Sequence, residues 1–188
     1  MKDIWYKVLS KCLGYSDTET QLEEIPTAVD LLKQGIAECN PKNYKLLITI
    51  IGHISDELLA NILDEELCTR ILRIIIQMMN TLDKEENINA ISAIGRMCES
   101  ADGRTAIKSN RTIIDFVKKA LVNNDFADAA AETYYDFIMS GKYKDKGLEF
   151  DNEILKEFLP GLVSYSKRKS AIARQNYKDI MAELKEMG

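Results

Sequence analysis

A chain of 188 residues, 46% hydrophobic and 29% charged, can bury one continuous core, and three prolines with nine glycines leave little room for disordered linkers. A net charge of −5 at pH 7 argues against general attraction to nucleic acid or anionic lipid. Apolar runs such as "LLITII" fall far short of the roughly 20 residues that span a bilayer and no signal peptide is legible, so a single soluble domain, 1–188, in the cytoplasm or nucleus is expected.

The first predicted helix, in "MKDIWYKVLSKCLG", puts Trp5, Leu9 and Cys12 on one face by their i, i+4, i+7 spacing. It also carries Ile4, Tyr6 and Val8, more apolar surface than one neighbour covers, which marks a patch for association with a partner or a second copy. Val29, Leu32 and Ile36 mark the second helix. Asn40-Pro41 reads as an N-cap with proline at the first helical position, ahead of a helix bearing Leu47, Ile51 and Ile54. "SDELLANIL" is long enough for a short helix, after which Leu72, Ile75 and Met79 mark a long one, then Ala90, Ile94 and Met97 the next. The acidic groups Asp17/Glu19, Asp64-Glu65-Glu66 and Asp83/Glu85/Glu86 fall at expected helix N-termini, where carboxylates cap free N–H groups and complement the dipole.

Further along, "DGRTAIKSN" offers another short helix, and Asn110 opens a helix with Ile113, Ile114, Val117 and Leu121. Asp125 precedes "FADAAAETYYDFIM", whose stripe is Ala130, Tyr134 and Phe137. Leu155, Leu159 and Val163 form the next stripe, and Pro160 within it predicts a kink or break, because proline removes one helical hydrogen bond and crowds the carbonyl of Lys156. Ser166 or Ser170 opens the last helix, with Ala173, Tyr177 and Ile180 inward and charged residues elsewhere.

These stripes fall into two interleaved series that share one period of 40 to 43 residues. Gly52 and Gly95 stand at equivalent places in the first series, where glycine is explained by close approach of a neighbouring helix. Period-2 alternation and hairpin signals are missing. The period and the three-helix order of residues 104 to 140 resemble the armadillo and HEAT repeats. That resemblance implies an all-α, right-handed α-solenoid of about four armadillo/HEAT-like repeats, near 1–39, 40–82, 83–123 and 124–166, with a capping helix at 170–187. Within the class, "AISAIGRMCESADGRTAI" is similar to repeats of the eukaryotic proteasome assembly chaperone that binds an ATPase subunit of the 19S base. Ala90, Ile94, Gly95, Gly103, Arg104 and Ile107 carry the likeness, while Tyr135 replaces the inner-helix glycine in the next repeat.

In armadillo-type stacks the third helix of each repeat lines the concave face, and the resemblance assigns the first series to that role. Its outward positions form two ladders: Lys11, His53, Arg96, Asp136 and Asp179, and beside them Lys7, Thr49, Ser92, Glu132 and Gln175. Charge passes from basic to acidic along the first, a pattern suited to orienting a partner protein. The asparagine-tryptophan ladder that holds extended peptides in nuclear-import armadillo proteins is missing, Trp5 being the only tryptophan, so a folded domain is the expected partner.

Catalytic patterns are absent. His53 is the only histidine, no G-x-S-x-G accompanies it, and no phosphate-cradling glycine loop exists. Ser164-Tyr165-Ser166-Lys167 fits S-x-x-K in an all-α context where that pattern carries little, and Asn110-Arg111-Thr112 fits the glycosylation sequon but reads as an N-cap. Cys12, Cys39, Cys68 and Cys98 are too scattered for a zinc site or disulfide framework and read as buried thiols, so no metal and no cofactor are expected. The expected function is a non-enzymatic scaffold, adaptor or assembly chaperone. The alternative is a nucleic-acid-binding HEAT-like protein using the basic groups Lys142/Lys144/Lys146 and Lys167-Arg168-Lys169, with Arg174, Lys178 and a stacking Tyr165.

Overall fold

A computed structural model describes residues 26–54, 59, 62–143, 150 and 152–187. Trp5, Leu9 and Cys12, the ladder residues Lys7 and Lys11, the patch Ile4, Tyr6 and Val8, the pair Asp17/Glu19, most of "SDELLANIL", and Lys144 and Lys146 lie outside the described residues. Those described form helices and turns, with no strand among them. No helix among them is long and apolar enough to cross a membrane.

Helix α1 spans Pro26–Ala37, a 3-10 turn Pro41–Asn43, α2 Tyr44–His53, α3 Glu65–Met78, α4 Lys84–Met97 and α5 Ala101–Lys108. Then come α6 Arg111–Val122, α7 Ala127–Tyr143, α8 Asn152–Lys156, α9 Leu159–Tyr165 and α10 Ala171–Met187. Side chains close several N-termini, though not those of α2 and α9, each satisfying a backbone donor that the helix leaves orphaned. Asn40 accepts from the Lys42 amide, Asp64 from Leu67, Ser100 from Gly103, Asn110 from Ile113 and Ser170 from Ala173. Asp83 and Glu86 form a reciprocal capping box on α4. Ahead of α7 the Asn123 side chain takes up the turn amide of Asp125, whose own carboxylate pairs with Lys84 at 2.7 Å.

Two rows of helices result. In one, α2 packs on α4, α4 on α7 and α7 on α10; in the other, α1 packs on α3, α3 on α6 and α6 on α9. The core lies between the rows. The stripes of α2, α4 and α7 are buried throughout, as are Ala173 and Ile180 of α10, with Tyr177 half-buried. In the other row Leu32, Ile36, Leu72, Ile75, Ile113, Ile114, Val117 and Leu121 are buried, while Val29 and Met79 are half-buried. Close approach explains both inner glycines: a methyl on Gly52 would stand 2.9 Å from the Asn89 carbonyl oxygen, and one on Gly95 would meet Asp136 and the Thr133 hydroxyl.

The last stripe needs correction. The chain breaks at Glu157 and Phe158, and Pro160 sits in the first turn of α9, where its missing N–H costs nothing. The break changes which face points inward, so Leu159 is 38% exposed and Val163 56% exposed, and Leu155, Phe158, Leu162 and Tyr165 form the buried face. Aromatic packing fixes this choice. Phe158 stacks on Tyr134 with centroids 4.6 Å apart and meets Phe137 edge-on at 5.9 Å, and the Tyr134 hydroxyl donates to the Leu155 carbonyl at 2.9 Å.

Arginines tie helix C-termini to later elements. The Arg70 guanidinium donates to the Ile36 carbonyl in the last turn of α1 and to the Cys39 carbonyl beyond it, both at 2.7 Å, and Arg96 donates to the Ile54 carbonyl after α2. Arg104, only 2% exposed, donates to the Cys98 carbonyl after α4 at 2.8 Å. These carbonyls have no intrahelical donor and lie at the negative end of the helix dipole, so a cation suits them.

Candidate functional site

Gly95 and the small Ala129 let α4, α7 and α10 come together around a polar cleft of about 410 Å³. Its lining includes Ser92 and Arg96 from α4, Glu132 and Asp136 from α7, and Asp179 from α10. Five of the ten ladder positions therefore meet in one concavity. Tyr135 lines it too, as do Thr133 and Asn176, which were not singled out from the sequence. Thr133 sits on the buried side of the α7 stripe, and its hydroxyl donates to the Ile91 carbonyl of α4 at 2.9 Å. Asn176 follows Gln175 by one residue, and its amide donates to the Tyr165 hydroxyl at 3.3 Å. Neither role has a local sequence signal, because each depends on a partner helix.

The other ladder residues stand apart from the cleft. Thr49 donates to the Lys45 carbonyl one turn back, and His53 lies exposed at the end of α2. Its Nδ1 is 2.8 Å from the Thr49 carbonyl oxygen, an acceptor, so that nitrogen carries the proton. Gln175 lies exposed on α10 and donates through Nε2 to both Asp179 carboxylate oxygens, at 2.8 and 2.9 Å. Electrostatically the cleft is acidic: Glu132, Asp136 and Asp179 face one guanidinium, Arg96.

The C-terminal basic group is arranged differently from the sequence expectation. Tyr165 is 1% exposed, so its ring is not open to a base, and its hydroxyl donates to Asp128 at 2.8 Å. Burial and that carboxylate push its ionisation well above the usual range. Arg168 lies over the Tyr165 ring, donates to the Asn124 carbonyl at 2.9 Å and faces Asp128. Lys167, Lys169, Arg174 and Lys178 of that group stand exposed. Lys142 falls in the last turn of α7.

Cys39, Cys68 and Cys98 are buried free thiols. Desolvation raises the first to about 11 and the second to about 12, and lifts Cys98 well above the ordinary thiol value, so all three are protonated and unreactive at neutral pH. No group of acidic, histidine or cysteine side chains suited to a metal occurs among the described residues. No protein-family model, no curated protein and no solved structure matches the chain.

Proposed function

We propose that this chain is a right-handed α-solenoid of about four armadillo/HEAT-like repeats that binds a folded protein through its first row of helices, in the cytoplasm or nucleus. It works without catalysis, as a scaffold, adaptor or assembly chaperone. The observation that carries the reading is the cleft itself: three successive first-row helices bury their apolar stripes and turn polar side chains into one shared concavity. Such a surface, formed by stacking and not by any single helix, is what repeat proteins present to partners. The likeness of "AISAIGRMCESADGRTAI" to repeats of the proteasome assembly chaperone is the ground for including assembly among the roles, and Ile4, Tyr6 and Val8 stay proposed for self-association. For the nucleic-acid alternative, Lys167, Lys169, Arg174 and Lys178 are exposed, while Tyr165 is buried and Arg168 is engaged within the fold.

A photo-crosslinking residue at Glu132 tests the reading against one at the exposed Lys119 of the second row. In cell extract, a discrete protein adduct identified by mass spectrometry is expected from position 132 alone. Equal adducts from both positions, or none from 132, would sink the proposal.

A further inference from the structure

Among the described residues, α9 and α10 each have a neighbour on one side of their row and a bare side opposite it. Gly161 is the point at which α9 lies against α6, where a methyl would stand 3.0 Å from the Leu121 side chain. Leu159 and Val163, two residues to either side of it, stand about 200° around the helix. They share the face turned away from α6 and are 38% and 56% exposed. The second observation is the charge on α10. Asp179 lines the cleft toward α7, and Glu183 and Glu186, at i+4 and i+7 from it, share that flank. Arg174, Lys178 and Lys185, all exposed, take the other flank of the buried stripe, and no further charged residue occurs in α10. Half-buried Met181 lies between these cations and the core. No carboxylate occurs between Glu157 and Asp179, and Glu157 is turned to Arg111 and Lys118 of α6. The bare sides of α9 and α10 therefore join an apolar face to a cationic one.

We propose that this end of the two rows seats an amphipathic acidic helix of a partner protein. Its apolar residues, at i, i+4 spacing, lie on Leu159, Val163 and Met181, and its carboxylates run along Arg174, Lys178 and Lys185. This surface is separate from the cleft, so it adds a second contact to the protein-binding reading. Three features select that occupant. A helix here continues the packing already present, since α9 rests on α6 and α10 on α7 through apolar residues at the same spacing. The run from Arg174 to Lys185 covers about 16 Å of helix, roughly three turns, which sets the length of the matching segment. Charge sets its composition: in a chain of net charge −5 this flank is wholly positive, so it attracts carboxylates, turns away cations and fixes the direction in which the apolar row lies.

The test is fluorescence anisotropy of a labelled, hydrocarbon-stapled helical peptide of about four turns, with leucine at i, i+4, i+7 and i+11 and glutamate along one flank, titrated with the full chain. Saturable binding is expected at low salt and weakens as salt is added. The same peptide with lysine in place of glutamate should not bind, and one with serine in place of leucine should bind more weakly. Arg174→Glu with Lys178→Glu should weaken the acidic peptide on the order of tenfold or more, with circular dichroism unchanged. Should that pair disturb the fold, Val163→Ser alone carries the comparison. No saturable binding, or binding that the variants leave unchanged, overturns the proposal. Sedimentation with phosphatidylserine vesicles in place of peptide binding overturns it in favour of a lipid surface, and a dimer that Val163→Ser dissolves overturns it in favour of a second copy. Crosslinking at position 132 reports on the cleft alone, so the two readings fail separately.

Discussion

Alanine at position 103 would drive a methyl group into the carbonyl of Met97 and within 2.7 Å of the Ser100 hydroxyl that caps the same helix. A backbone carbonyl cannot rotate away, so the strain outweighs the helix propensity that alanine brings. Gly103→Ala should cost roughly 1–3 kcal/mol of stability in urea unfolding. Gly95→Ala should cost less, since Asp136, the group it meets first, is the end of a side chain. Charge acts at the same scale. Hydrogen bonds from Arg111 and Lys118 hold Glu157 down from the usual 4.5 to about 2. A depressed carboxyl contributes stability that is complete above its unfolded value and disappears as pH falls through its folded value. Urea midpoints should therefore drop between pH 4.5 and about 2, and Glu157→Gln should flatten that part of the profile, as should high salt, because the group is exposed.

Among the elements, α8 and α9 show which force sets a register. Proline stands at a break, yet the inward face is chosen by Phe158, locked between Tyr134 and Phe137. Phe158→Ala should cost about 3–5 kcal/mol, whereas Pro160→Ala should cost less than about 1 kcal/mol, since proline near a helix start gives up no bond. Thermal or urea unfolding of the two variants separates the contributions. This contrast also shows what the sequence could disclose. Caps at Asp64, Asp83, Asn110 and Ser170, and stripes such as Ala90, Ile94 and Met97, were legible because cause and effect lie within about two turns. Leu159 and Val163 were misplaced because a run of apolar residues at spacing four does not say where a helix breaks, and the deciding ring is Tyr134. Arg104 was named from the sequence only for the repeat likeness, and its burial against the Cys98 carbonyl depends on how α5 turns back on α4. Half of the ladder reached the cleft, since the spacing identified a face, whereas depth depended on how closely α10 approaches α7.

Among the described residues, the contacts between helices run mainly from each helix to its successor in the row, and the arginine bonds join the same neighbours. No central element gathers the described helices around itself. Stability is then passed along the molecule link by link, and a helix near the middle, gripped on two sides, outlasts one gripped on one side. Amide hydrogen exchange followed by mass spectrometry should find the slowest amides in α4 and α6 and progressively faster ones through α9 and α10. Uniform protection across these helices would mean that the molecule opens as one unit. The graded case has a consequence for the cleft: α10, which supplies Asp179 and Asn176, is then the wall that opens first. Fraying from that end would erase the acidic concavity while α2, α4 and the buried thiols beneath them stay folded, and a seated partner, by holding α10 against α7, would slow exchange along the entire row.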